Sequence, residues 1–95
     1  MPKGYIIARI DVTDAEEYGR YTARTPALVA AAGGRFLTRG GRHEALEGEG
    51  RSRNVIIEFP DYETARAFYD SPDYRAILPH ALKGSTRDLV VVEGV

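Results

Sequence analysis

The 95 residues form one domain, 1–95, and a chain this short buries only about 60–65% of its unfolded surface, so its core is thin. A net charge of −1 leaves no electrostatic footprint for nucleic acid or an anionic membrane. The absence of cysteine excludes a disulfide framework, a thiolate metal site and a cysteine nucleophile.

The chain runs from Met-Pro-Lys directly into a strand pattern, with no apolar run of signal-peptide or membrane-span length, which predicts a cytoplasmic protein. Residues 4–12, GYIIARIDV, alternate as a strand: Ile6, Ala8, Ile10 and Val12 form a clean apolar face, and Tyr5, Ile7, Arg9 and Asp11 a mixed one. Thr13 or Asp14 then caps a helix with Glu16 and Glu17 in its first turn, where the helix dipole favours acids. Its apolar stripe is Tyr18, Tyr21, Thr25, Leu28, Val29 and Ala32. Pro26 lies inside that stripe and predicts a kink, or a restart with Thr25 as cap. Gly33-Gly34 ends the element.

Residues 35–39, RFLTR, are a second strand; Gly40-Gly41 suggests a bulge, with HEALE continuing the strand and GEGRS (48–52) as a flexible hairpin tip. Residues 53–59 are a third strand, with Val55, Ile57 and Phe59 on one face and Ile56 and Glu58 on the other. Pro60 and Asp61 start a second helix with the stripe Tyr62, Ala65, Phe68, Tyr69. Ser71-Pro72 caps a further helical piece carrying Tyr74, Ile77 and Leu78, which Pro79 is expected to stop. DLVVVE (88–93) is the last strand.

The order β-α-β-β-α-β is the split βαβ, ferredoxin-like arrangement: an α+β fold with a four-stranded antiparallel sheet. The first and third strands are central neighbours, and right-handed crossovers put both helical layers on one face. The other face, with Tyr5, Ile7, Arg9, Ile56 and Glu58, Leu37 and one parity of Val90–Val92, has no helix left to cover it. An uncovered face this apolar predicts association with a second copy.

Taken as an ordered set, GYIIARIDVTD, GGRFLTRGG, VIIEFPDYETARAFYDSPDYRAI and VVVEGV resemble the domain-of-unknown-function family numbered 1330 over nearly the whole chain. The resemblance implies membership of the dimeric α/β-barrel group, in which a ferredoxin-like protomer packs its sheet against a partner's sheet. The family has no established reaction. The wider group includes cofactor-free monooxygenases, haem-degrading enzymes, lactone isomerases and stress-responsive proteins, which commonly use the cleft between sheet and helices.

Several residues carry candidate chemistry beside a plainer structural role. Arg9 and Glu58 lie mid-strand with the same facing, as a charge-assisted pair that anchors a ligand or fixes dimer register. His80, after Pro79, is a general-base candidate or a surface residue at a helix C-terminus, and His43 is a weaker candidate near the expected bulge. Tyr18, Tyr21, Tyr62, Tyr69 and Tyr74 all fall on helical segments, as core stripe or, for Tyr18, Tyr21 and Tyr69, as a wet pocket lining. Arg39, flanked by glycines, suits a small carboxylate or is an exposed strand end. Ser71 is a cap. Two histidines 37 residues apart give no metal-ligand spacing, so neither metal nor cofactor is expected. No phosphate loop is present, and scattered basic residues argue against nucleic acid.

Two expectations follow. The first is a homodimer whose protomers bind or convert a small organic molecule in a cleft formed with Tyr18, Tyr21, Arg39, Tyr69 and His80. The alternative is a non-catalytic dimeric module for binding or stress response.

Overall fold

A computed structural model describes residues 2–95. The elements are β1 (Gly4–Val12), α1 (Ala15–Thr22), α2 (Thr25–Ala31), β2 (Arg35–Arg39), β3 (Arg53–Phe59), α3 (Tyr62–Asp70), α4 (Pro72–Gly84) and β4 (Ser85–Glu93). The strands form one antiparallel sheet in the order β2-β3-β1-β4, with β1 and β3 at the centre. This is the expected ferredoxin-like topology, each half contributing a pair of short helices instead of one.

The side-chain caps explain where three helices begin. Asp14 accepts the Glu17 backbone N–H at 3.1 Å, Asp61 accepts that of Thr64 at 2.7 Å, and Ser71 Oγ accepts that of Tyr74 at 3.3 Å. The break between α1 and α2 follows from Pro26, which has no N–H to give the Thr22 carbonyl four residues earlier. Thr25 is the first residue of α2 rather than its cap, and its hydroxyl turns back to that freed carbonyl at 3.5 Å. Gly33, at φ +80°, turns the chain out of α2 into β2.

The inner face of the sheet, under the helices, carries Ile6, Ala8, Ile10, Val55, Ile57 and Phe59, all buried. They meet Tyr18, Tyr21, Val29, Ala65, Phe68, Tyr74, Ile77, Leu78 and Ala81 from the helices in one core. Phe59, Phe68 and Tyr74 form a chain of tilted rings with centroids 5.2 and 5.0 Å apart. On the outer face Tyr5 stands between Glu58 and Val92, Ile7 between Ile56 and Val90, and Arg9 between Asn54 and Asp88. Val90 and Val92 are exposed there, as is Leu37.

Four expectations are corrected. The bulge lies between Phe36 and Thr38, not at Gly40-Gly41. HEALE does not extend the strand; residues 40–52 form a loop, because Gly40 at φ +73° turns the chain off the sheet and Leu46 finds nothing to pack on at 84% exposure. Pro79 does not stop the last helix, which runs on to Gly84. Pro79 lies on the exposed side of α4, where water can satisfy the carbonyl that a proline leaves unbonded. The Gly84 carbonyl then accepts the Thr13 and Asp14 N–H groups at 2.8 and 3.1 Å, tying the end of α4 to the start of α1. Finally, Arg9 and Glu58 share a face but not a register. Glu58 is opposite Tyr5, four residues and about 13 Å along β1 from Arg9. Glu58 instead accepts from Tyr5 Oη at 3.3 Å and Arg35 Nε at 3.0 Å, while Arg9 donates to the Glu49 carbonyl at 3.3 Å.

Candidate functional site

A narrow slot opens between the inner sheet face and the helices, at the end of the sheet where β1 and β2 finish and β3 and β4 begin. Its apolar wall includes Ile6, Ala8, Ile10, Val29, Phe36, Val55, Ile57, Phe68 and Leu89. Tyr18, Tyr21, Thr22, Thr25, Tyr74, Arg39, Arg53 and Arg87 supply its polar groups. Its cavity volume is about 30 Å³, room for one or two waters as it stands.

Three strand positions bring the arginines there. Arg53 and Arg87 both pair with Ile10, one from each side, so they flank it on the inner face two strand spacings (about 10 Å) apart. Arg39 reaches the inner face through the bulge. A regular β2 would alternate Phe36 in, Leu37 out, Thr38 in, Arg39 out; the extra residue puts Thr38 opposite Ile56 and Arg39 opposite Val55, reversing the last two. Arg39 Nη2 then donates to the Thr22 carbonyl at 3.2 Å, the acceptor freed by Pro26, and its guanidinium lies 4.9 Å from the Phe36 ring centre.

At the inner end, Tyr21 and Tyr74 share a hydrogen bond at 2.7 Å, and Arg87 donates to both hydroxyls, Nη1 to Tyr21 at 3.2 Å and Nη2 to Tyr74 at 2.9 Å. Tyr21 and Tyr74 are 8% and 2% exposed, so these bonds form largely away from water. Burial, reinforced by Tyr74, pushes the Tyr21 phenol well above the ordinary tyrosine value, and burial likewise raises Tyr18. Burial works against the Arg87 charge, but the Tyr21 and Tyr74 oxygens beside it outweigh that effect and raise its pKa above the ordinary arginine value. Arg53 Nε is buried without a hydrogen-bond partner. Gly40, whose φ of +73° favours glycine, lies against the Arg53 guanidinium. None of Arg39, Arg53 and Arg87 has a carboxylate partner among the described residues.

Tyr18, Tyr21 and Arg39 line this slot; Tyr69 and His80 do not. Tyr69 stacks on Tyr74 from outside, with centroids 5.5 Å apart, beneath the Arg75 guanidinium at 4.6 Å. His80 sits within α4, not at its end, because the helix continues past Pro79, and its Nδ1 is 2.6 Å from Glu17 Oε2. His43 lies in the exposed 40–52 loop with Nδ1 3.2 Å from the Gly41 carbonyl. The outer-face set Tyr5, Ile7, Arg9, Ile56 and Glu58 stands together on the uncovered side.

Sequence reasoning missed Arg53 and Arg87 and placed Tyr74 in the core alone. The available signal was parity: Arg53 is in step with Val55, Ile57 and Phe59, and Arg87 with Leu89 and Val91. No group of histidine, cysteine and carboxylate side chains able to hold a metal occurs among the described residues, and no helix is long and apolar enough to cross a membrane.

Among solved structures, the chain is similar to a protein of unknown function from Rhodopseudomonas palustris (RPA0582), at TM-score 0.79 and 16% identity over 99% of this chain and 83% of that one. It is also similar to a dimeric ferredoxin-like protein of unknown function from Thermobifida fusca, at TM-score 0.62 and 19% identity over 97% and 91%. A third is SnoaB, a cofactor-independent oxygenase from Streptomyces nogalater, at TM-score 0.61 and 17% identity over 97% and 92%. At these identities the likeness establishes the ferredoxin-like fold. No curated protein matches the chain. Residues 3–95 match the family described as Domain of unknown function (DUF1330), and the chain belongs to that family.

Proposed function

We propose that this protein binds a small organic molecule in the slot between sheet and helices, and that it does so as a homodimer formed through the outer sheet face. The observation that carries the first part is the Tyr21–Tyr74–Arg87 cluster at the inner end of a mainly apolar cavity. A few convergent polar groups in an apolar concavity are the usual composition of a small-molecule site. Support for the second part comes from the exposed Val90, Val92 and Leu37 beside Ile7 and Ile56, and from relatives of the same fold described as dimeric. SnoaB, named as a cofactor-independent oxygenase, is a case of chemistry on this fold, and supports conversion of the ligand by fold-level analogy alone.

The protonation of the slot favours the second reading, a non-catalytic binding module. Burial holds Tyr18 and Tyr21 as neutral phenols, so these hydroxyls give hydrogen bonds rather than take a proton.

Amide-resolved NMR of the isolated protein against a panel of small aromatic and aliphatic compounds tests the proposal. Binders are expected to shift Ala8, Thr25, Val29 and Phe36. Shifts confined to Ile7, Ile56 and Val90, or none with any compound, would sink it. Turnover of a bound compound would retire the non-catalytic reading.

A further inference from the structure

Hydrogen-bond arithmetic in the slot leaves donors over. The 2.7 Å bond between Tyr21 and Tyr74 uses one of their two hydroxyl protons, and Arg87 donates to both oxygens. One phenol proton therefore has no protein acceptor. Arg53 Nε is buried and unpartnered. Arg39 meets only a backbone carbonyl and a ring. Against these, the slot lining contains no aspartate or glutamate.

The acids at this end of the sheet are committed elsewhere. Asp11 and Asp88 sit on the outer face, where Arg51 bonds both at 3.0 Å. Arg51 thus takes the local carboxylates, and Arg53 and Arg87, one layer away on the inner face, receive none. Half-buried guanidinium groups are costly unless paired, so Arg53 and Arg87 beside one cavity are a standing demand for an anion, with Arg39 exposed at its rim.

We infer that the ligand of the slot is an organic monocarboxylate. Its carboxylate sits between Arg53 and Arg87, accepting from both forks and from the free phenol proton, and its apolar body lies along Ile6, Ala8, Val29 and Phe36. The planar fork of arginine matches a carboxylate, and the apolar wall suits a singly charged head on a hydrocarbon body better than a phosphate ester. Arg39, at the exposed rim, is the third contact, and it must leave the Thr22 carbonyl to admit anything larger than water. This assignment rests on the slot being the ligand site.

The test compares acids with their neutral isosteres on the wild-type protein: benzoate against benzamide and butyrate against butyramide, each followed by the amide shifts of Ala8, Thr25 and Val29. Each acid is expected to bind at least about tenfold more tightly than its amide, as hydrogen bonds to a charged group require. Arg53→Met should abolish that preference by weakening the acid far more than the amide, and Arg39→Met, at the exposed rim, should reduce it. Equal binding of acid and amide in the slot would overturn the carboxylate assignment and leave the small-molecule reading intact. A preference that survives both variants would overturn the role given to the arginines. If neither acid nor amide shifts slot residues, the small-molecule reading fails as well.

Discussion

The two faces of this sheet treat charge in opposite ways at the same end of the same strands. On the outer face Arg51 from the long loop bridges Asp11 of β1 and Asp88 of β4, so both carboxylates are bonded within the chain. On the inner face Arg53 and Arg87 stand on either side of Ile10 without a carboxylate partner, and Arg87 bonds the Tyr21 and Tyr74 phenols. The apolar residues divide in the opposite sense: the inner set is sealed under four helices, whereas Val90, Val92 and Leu37 stay exposed outside. A face that settles its charges and leaves its hydrocarbon bare is built for another surface of protein. A face that hides its hydrocarbon and leaves its positive charges unpaired is built for a small acid.

The largest expected effect tests the sealed face. Phe59→Ala removes a ring that is 1% exposed and packed on Phe68, and should cost about 3–5 kcal/mol in urea unfolding; a loss near zero would mean the helices do not depend on this face. On the bare face, Ile7→Glu should leave the protomer folded but shift it from dimer to monomer in sedimentation at micromolar concentration, since an unpaired charge against a partner sheet costs a few kcal/mol. An unchanged dimer would move the interface elsewhere.

Tyr74→Phe should cost about 1–2 kcal/mol of stability, because it strips the hydroxyl that bonds Tyr21 and Arg87 while preserving the ring stack. If stability does not change, the cluster is not a structural brace, and the variant then isolates its part in binding. The smallest effect is in pH. The His80 hydrogen bond, more than the charges of His80, Arg20 and Lys83, holds Glu17 below its usual value of 4.5. A carboxylate lowered in this way adds stability above 4.5 that is lost as the pH falls through the folded value. Glu17→Gln should therefore flatten the acid limb of the stability profile, and an unaltered limb would show that the α1–α4 pair contributes nothing.

Strand parity made both faces legible in the sequence. Ile6, Ala8 and Ile10 separate from Tyr5, Ile7 and Arg9 by alternation alone, and the topology follows from element order. Register did not follow, since alternation gives a residue its face but not its opposite number; hence Arg9 and Glu58 looked like partners. The β2 bulge had no local mark in RFLTR, so Arg39 was a candidate for its chemistry while its route to the inner face stayed hidden. Pro79 reads as a stop unless its solvent-facing side is known, and that misplaced His80 at a helix end. Arg87 fell outside the last strand as read from Asp88, whereas β4 begins at Ser85, and Arg53 opens β3; their parity with Val55 and Leu89 pointed inward.

A high-resolution crystal structure of the protein grown with benzoate tests most directly whether the two faces divide the work in this way. The account predicts the carboxylate between Arg53 and Arg87, Arg39 displaced from the Thr22 carbonyl, and the outer face packed on the same face of a second copy. Benzoate lodged against the outer face, or an empty slot closed by its own side chains, would contradict it.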